Sequence, residues 1–465
     1  MNLFTAHLFG IASHLLPVSA QLDGPNATVT IGTDLPPDKQ ETTRQRETRI
    51  RVASALLSIE RRVQLRIRSG DQHTATMDLA VAAAIYAASP GARHLPPTLA
   101  LGELSLAGEV RPVRGLVPHL LTARAQGITT FLVPACQASD AVGLGVSVIP
   151  VSRVDDLVDF IFDGSSPIPI VPREAPRSRS MEEPDFASVR GLHEAVHACT
   201  LSAITGYPIL FEGPPGTGAT LLARRLTTIL PPLTADEQLH VRTNLSASGQ
   251  DCATLEPPRP FRAPHHTCSA QGLFGGGPRT TVHPGEVTLA SKGVLFLDSI
   301  EEFRFDVLDV LKSTIGKTTF AVYSQACQLP CEFHLAASTH PCPCGFRGDA
   351  QRICVCTPRQ TDLHRGKVPR QLFPIIVRLP RDSQREAAFN PDSASIRATV
   401  TRVRNLLRTL PARPEDEAHV QKLLETSSRQ PDELRNLLRA NAYLHGRSVV
   451  TTEDVDQVAP LVTGD

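Results

Sequence analysis

The feature that most constrains this chain is a glycine-rich octapeptide, Gly213-Pro214-Pro215-Gly216-Thr217-Gly218-Ala219-Thr220. It lies between an apolar run at 208–212 and a segment with helical periodicity at 220–230. A strand that passes through such a loop into a helix aims several backbone N–H groups and the positive end of the helix dipole at one spot. That arrangement suits phosphate, and the Gly-x-x-x-x-Gly spacing is that of a nucleotide-binding loop. One position departs from the pattern. Ala219 stands where a lysine would reach the β- and γ-phosphates, whereas Thr220 keeps the hydroxyl that would hold Mg²⁺. The plain alternative is a Gly/Pro turn with no ligand.

A second motif fits the first. Residues 293–298, Gly-Val-Leu-Phe-Leu-Asp, read as a buried strand ending in Asp298, an acid that would share Mg²⁺ with Thr220. In motors built this way a glutamate follows the aspartate and orients the attacking water; here Ser299 follows, and serine is no base at neutral pH. Glu301 and Glu302 come just after and are read as solvated or helix-N-terminal carboxylates rather than a displaced base.

At 465 residues the chain has room for two or three domains, each with its own core. Lys+Arg and Asp+Glu both number 47, so the whole chain makes no electrostatic case for nucleic acid or a membrane surface. No apolar run reaches the roughly 18 residues that span a bilayer. The apolar start at 3–20 is broken by His7, His14 and Pro17, has no basic residues before it, and is taken as a first strand rather than a leader. Ten unevenly spread cysteines are no secreted disulfide scaffold, which points to a reducing cytoplasm and no membrane partner.

Residues 1–164 alternate strand-like runs (27–31, 63–67, 130–133, 146–151) with helical ones (43–59, 77–88), an α+β pattern. Residues 165–183, dense in Pro, Ser and Arg, read as a linker whose basic run Arg173, Arg177 and Arg179 is a solvated one. From 184 to 385, strands at 208–212, 293–298 and 333–338 alternate with helices, as a parallel sheet requires. From 386 to 465 only amphipathic helices remain, at 393–409, 415–427, 432–444 and 452–461, which suits a helical lid on an α/β core.

Cys342-x-Cys344 and, nine residues on, Cys354-x-Cys356 bring four thiols within reach of one tetrahedral Zn²⁺, where a metal would pin a loop near the nucleotide site. Reduced structural thiols are the competing reading. Cys327 and Cys331 are read as core, and the His265-His266 pair as part of a hairpin rather than a metal site.

Four motifs in order carry a family resemblance: Arg259-Pro-Phe-Arg-Ala-Pro-His-His-Thr267, His283-Pro-Gly-Glu-Val-Thr-Leu-Ala290, the 293–298 strand, and His340-Pro-Cys-Pro-Cys-Gly345. Together they resemble the YifB/ComM family of magnesium-chelatase-like AAA+ proteins over nearly the whole chain. The resemblance implies a Lon-protease-like (S5-like) α+β N-terminal domain, an AAA+ P-loop parallel-sheet core with an inserted helix-two hairpin, and a helical C-terminal lid. It also implies a hexameric ring and ATP-driven branch migration on DNA. Gly102-Glu-Leu-Ser-Leu-Ala-Gly108 and Arg111-Pro-Val-Arg-Gly115 are similar to the Lon-like domain, but Thr76 and Val117 stand at its Ser/Lys dyad, and valine is no base. No peptidase is expected.

Against the family pattern the core lacks more than the lysine. His340 replaces a polar asparagine that senses the γ-phosphate, and residues 369–377 replace the family's Ser-Gly-Pro-Leu-Leu-Asp-Arg-Ile-Asp, with Ile375 at the finger arginine and Pro374 and Val377 at the aspartates. Arg429 matches the second-sensor arginine. An arginine finger alone is worth about 10³–10⁵ in rate, so the expectation is a subunit that binds ATP/Mg weakly through residues 213–220, Asp298 and Arg429, turns it over poorly or not at all, and has no assigned catalytic residue. It would work in a homo- or hetero-oligomeric ring, with an intact homologue as partner and with DNA contact by resemblance only. Competing readings are an active branch-migration motor using Glu301 or His340, and a metal-insertion subunit of the chelatase type.

Overall fold

The computed structural model describes the chain apart from residues 1–2, 24–25, 32–41, 58–63, 69–73, 164–183, 279–280, 323–326, 350, 381–389, 411–412, 415–416, 428 and 464–465. The expected linker and its arginines therefore lie outside the described residues.

The N-terminal domain is built on β1 (Leu3–Phe9), β2 (Ala12–Asp23), β3 (Asn26–Ile31), β4 (Gln64–Arg68), β5 (Thr98–Ala100), β6 (Thr130–Pro134) and β7 (Val148–Val151), in the order β4-β3-β2-β1-β5-β6-β7. The apolar start expected as one strand is two: Gly10, at a φ of 66°, turns the chain so that Phe9 pairs with Ala12. Positive φ costs glycine no steric strain, which is why the run breaks there. Helix α1 (Thr43–Leu57) and the alanine-rich α2 (Asp78–Ala87) cover the sheet, and α2 is buried on nearly every side. Its one carboxylate, Asp78, is fully buried and paired with Arg51 at 2.6 Å. Val117, at the position of the missing dyad lysine, is completely buried in α3 (Leu116–Ala125).

The core sheet is five parallel strands: β8 (Ile209–Glu212), β9 (Phe261–Arg262), β10 (Val294–Leu297), β11 (His334–Thr339) and β12 (Ile375–Arg378), in the order β9-β10-β11-β8-β12. The strand before the glycine loop and the strand before Asp298 are thus separated by β11. Strand periodicity sends Phe211, Phe296, Ala336 and Ile375 to one apolar cluster and Leu210, Leu295, Leu297 and Ile376 to another, so both faces are covered. The first cluster is shared with α4 (His193–Thr205), α5 (Ala219–Ile229) and the lid helices α9 (Ser393–Thr409), α10 (Glu417–Thr426), α11 (Pro431–Leu444) and α12 (Thr452–Thr463). The remaining longer helices are α6 (Ala235–Ser248), α7 (Phe305–Thr314) and α8 (Pro358–Arg365).

Helix α6 locks the N-terminal domain onto the core. Buried Arg242 donates to the carbonyls of Asp140 (2.7 Å), Val142 (3.0 Å) and Cys252 (3.0 Å). Ser246 accepts from the Gly115 N–H at its carbonyl (2.8 Å) and from the Val117 N–H at its hydroxyl (3.0 Å). A second contact packs the Gly10 turn on Cys327 and Leu329, which confirms Cys327 as core; Cys331 is buried as well.

Candidate nucleotide site

Strand β8 delivers the chain into the glycine loop, and α5 starts at Ala219. Gly216 (φ 82°) and Gly218 (φ 98°) adopt the left-handed conformation that a side chain resists, and Gly218 is the N-cap of α5. The Gly213 N–H donates to the Thr339 carbonyl at 3.1 Å, and the buried Thr217 hydroxyl donates to the Pro214 carbonyl at 2.9 Å. The loop is therefore braced from beneath by β11. Ala219 is half-buried in the first turn, and Thr220, beside it, is exposed.

Asp298 lies just past the end of β10, where the Ser338 hydroxyl of β11 donates to its carboxylate. The same hydroxyl accepts from the Ser299 N–H at 2.8 Å, and Ser299 has a φ of 54°. Sequence reasoning missed Ser338; its signal was a hydroxyl two residues before His340 on the strand next to Asp298.

Glu301 corrects an expectation. It lies in the first turn of the short helical segment Ile300–Glu302, as the helix-N-terminal alternative had it, but is 6% exposed rather than solvated, with its Oε1 accepting from the His340 N–H at 3.0 Å and from the imidazole Nδ1 at 2.9 Å. Burial is the largest influence and raises the carboxyl pKa, but the hydrogen bonds from His340, from its own N–H and from Thr339 together outweigh it and hold Glu301 below its ordinary value. The same bond raises the pKa of His340. His364 of α8 donates to the His340 carbonyl at 3.0 Å and lies 3.6 Å from Glu301. Glu302, by contrast, is half exposed and pairs with His266 at 3.1 Å.

The remaining predicted residues fall on the two sides of β8. Ile375, at the finger-arginine position, is the first residue of β12 and is wholly buried. Arg370, five residues earlier, ion-pairs with Glu212 at 3.1 Å. The Arg429 guanidinium donates to the carbonyls of Arg370 (2.9 Å) and Val462 (3.3 Å), so these donors tie the lid to the segment before β12. Burial lowers the pKa of Arg429.

Cys342, Cys344, Cys354 and Cys356 converge with all four sulfurs within 4.8 Å of one another. The Sγ separations of 3.4, 3.6 and 3.7 Å among Cys342, Cys344 and Cys354 approach the roughly 3.8 Å edge of a tetrahedron with Zn–S bonds of about 2.3 Å. Cys344 is drawn down, first by the Phe346 N–H that hydrogen-bonds its sulfur, while desolvation and the neighbouring thiols hold Cys354 and Cys356 up. The donor set fits Zn²⁺. Gly345, within this loop, lies so close to Pro215 that a Cβ would come within 2.8 Å of its ring, so the cysteine cluster packs directly on the glycine loop.

Residues 185–384 match the family described as "Magnesium chelatase, subunit ChlI", residues 40–137 match "Subunit ChlI of Mg-chelatase", and residues 419–464 match an AAA lid domain. The chain is 33% identical over 318 residues to competence protein ComM of Haemophilus influenzae, covering 64% of this chain and 62% of that one. It is 31% identical over 331 residues to the uncharacterized protein YifB of Escherichia coli, covering 68% and 64%. The chain belongs to the YifB/ComM family of magnesium-chelatase-like AAA+ proteins. It spans less than two thirds of the length of these curated relatives. Within this AAA+ fold, β8 leads into the glycine loop and β10 ends just before Asp298. Among the described residues no helix is long and apolar enough to cross a membrane.

Proposed function

We propose that this YifB/ComM-type protein binds ATP/Mg²⁺ weakly and hydrolyses it poorly or not at all, serving as a structural subunit of an AAA+ ring. The observation that carries this reading is the joining of a braced phosphate loop to a helix whose first residue is Ala219. Backbone N–H groups from the loop and the α5 dipole would hold phosphates, with Thr220 and Asp298 as the Mg²⁺ ligands. Bound Mg²⁺ would neutralise phosphate charge. No lysine adds to that charge, Ser299 supplies no carboxylate, and buried Ile375 supplies no finger. The four thiolates would hold a structural Zn²⁺ and, through Gly345 and Pro215, stiffen the loop. Ring partners on this reading are further copies or an intact homologue, in the cytoplasm, with DNA as the substrate of the assembled ring. Calorimetry with ATP and Mg²⁺, paired with a steady-state hydrolysis assay, tests it. Turnover at rates typical of motors, abolished by Asp298→Ala, would sink the proposal.

A second reading, an active ComM-type branch-migration motor, is favoured by the Glu301–His340 pair, in which a buried carboxylate holds an imidazole that Asp298 also acts on. It requires that Glu301→Gln abolish a measurable hydrolysis rate.

A further inference from the structure

A cavity of about 380 Å³ opens at the end of the core sheet opposite the glycine loop, lined by Ile204, Thr205, Tyr207, Arg404, Leu407, Arg408 and Asn436. Tyr207 precedes β8, whose other end feeds the glycine loop, so a four-residue strand of about 13 Å separates this cavity from the nucleotide site. Its walls come from the end of α4 and from α9 and α11 of the lid.

The polar groups facing it are nearly all donors. Arg404 spends its Nε on the Ala203 carbonyl at 2.8 Å, near the C-terminus of α4. Its Nη groups and the whole guanidinium of Arg408 make no hydrogen bond or ion pair with any described residue, and no described carboxylate lies within 4.0 Å of either. The Tyr207 hydroxyl accepts from Asn436 Nδ2 at 3.1 Å, which leaves its own proton to donate. Burial raises the phenol's pKa and keeps that proton in place. The acceptors nearby are already used. Asn436 Oδ1 takes Arg439 at 3.3 Å, the Tyr207 carbonyl takes Ser202 at 2.7 Å, and Thr205 both donates to Leu201 and accepts from the Tyr207 N–H. Burial, then Arg259 and Arg408, bring the Arg404 pKa down to about 10; Glu237 acts against them, and Asp432 and Glu433 of α11 act on the Tyr207 phenol from a longer range. Two guanidiniums with no described carboxylate within 4.0 Å, beside a phenol donor, match a doubly charged oxyanion. The volume exceeds what inorganic phosphate fills and leaves the apolar sides of Ile204 and Leu407 for an organic group.

We propose that this cavity binds a phosphomonoester, held by Arg404, Arg408 and Tyr207. The site is separate from the glycine loop and does not depend on the nucleotide reading. The test is calorimetry on the full chain carrying Ala219→Glu, which sets a carboxylate in the glycine loop and removes phosphate binding there. The probes are glucose 6-phosphate, a 5′-phosphorylated hexathymidylate, and glucose as the neutral control. Binding of the sugar phosphate assigns a soluble ester, and binding of the oligonucleotide alone assigns a nucleic-acid end; either supports the site. Arg408→Glu, at an exposed position, is expected to weaken binding at least tenfold, with Arg408→Lys retaining part of it. Failure of both phosphates to bind, equal binding of glucose, or less than a twofold effect of Arg408→Glu in a protein with unchanged circular dichroism overturns the proposal.

Discussion

Restoring the lysine tests how much of the nucleotide site survives. In Ala219→Lys the new ammonium would rise from the first turn of α5, beside a loop already held by the Gly213–Thr339 bond and shaped by Gly216 and Gly218. Ala219 is half-buried, packed on the edge of the core cluster beside exposed Thr220, so the longer chain has an outward path toward the phosphates. A charge-assisted hydrogen bond contributes about 1.5–3 kcal/mol, or roughly a 10- to 150-fold gain in ATP affinity. Titration of Mg²⁺-free and Mg²⁺-loaded ATP by calorimetry reads it directly. The hydrolysis rate should stay near background, because Ser299 and buried Ile375 are unchanged. An affinity within twofold of the parent, in protein of unchanged melting temperature, would refute the pre-formed cradle. Motor-like turnover in Ala219→Lys would refute the claim that the chemistry is lost at several positions.

Purified protein should carry about one zinc per chain by atomic absorption, and Cys354→Ser should lose it and weaken ATP binding through the Gly345–Pro215 contact; metal-free native protein with the same affinity would disprove the buttress. Arg242→Ala leaves three carbonyls at the domain junction without their shared cation, and should cost about 3–5 kcal/mol in urea unfolding, where a loss under about 1 kcal/mol would be evidence against α6 as the lock. Burial takes His119 and His334 from 6.5 down to about 3. The unfolded chain then binds protons that the fold refuses, so their contribution is complete above pH 6.5 and is lost by about 1.4 kcal/mol per histidine per pH unit as pH falls toward 3. Melting temperature against pH should show this slope, and His334→Gln should reduce it.

The fold class was legible because it rests on local pattern. Short continuous apolar runs between helical segments marked β8, β10 and β11, and the glycine spacing marked the turn into α5. The start of the chain was misread because one glycine with positive φ splits an unbroken apolar run, and periodicity does not register a single turn. Glu301 was misread for a different reason. Next to a strand end it looks solvated, and only the return of β11 beside β10 brings His340 to within 2.9 Å of it.

By itself the sequence determined which atoms the nucleotide site lacks: no lysine at 219, no carboxylate at 299 and no arginine at 375. The first two are questions of residue identity at a known spacing, and the third follows from the family resemblance. The tertiary structure alone decided what the remaining groups touch. It set the cysteine loop against Pro215, Arg429 on backbone carbonyls, and Arg404 and Arg408 beside one cavity. Each of these joins residues far apart in the chain, and such contacts follow from how the sheet and lid pack, which no local pattern specifies.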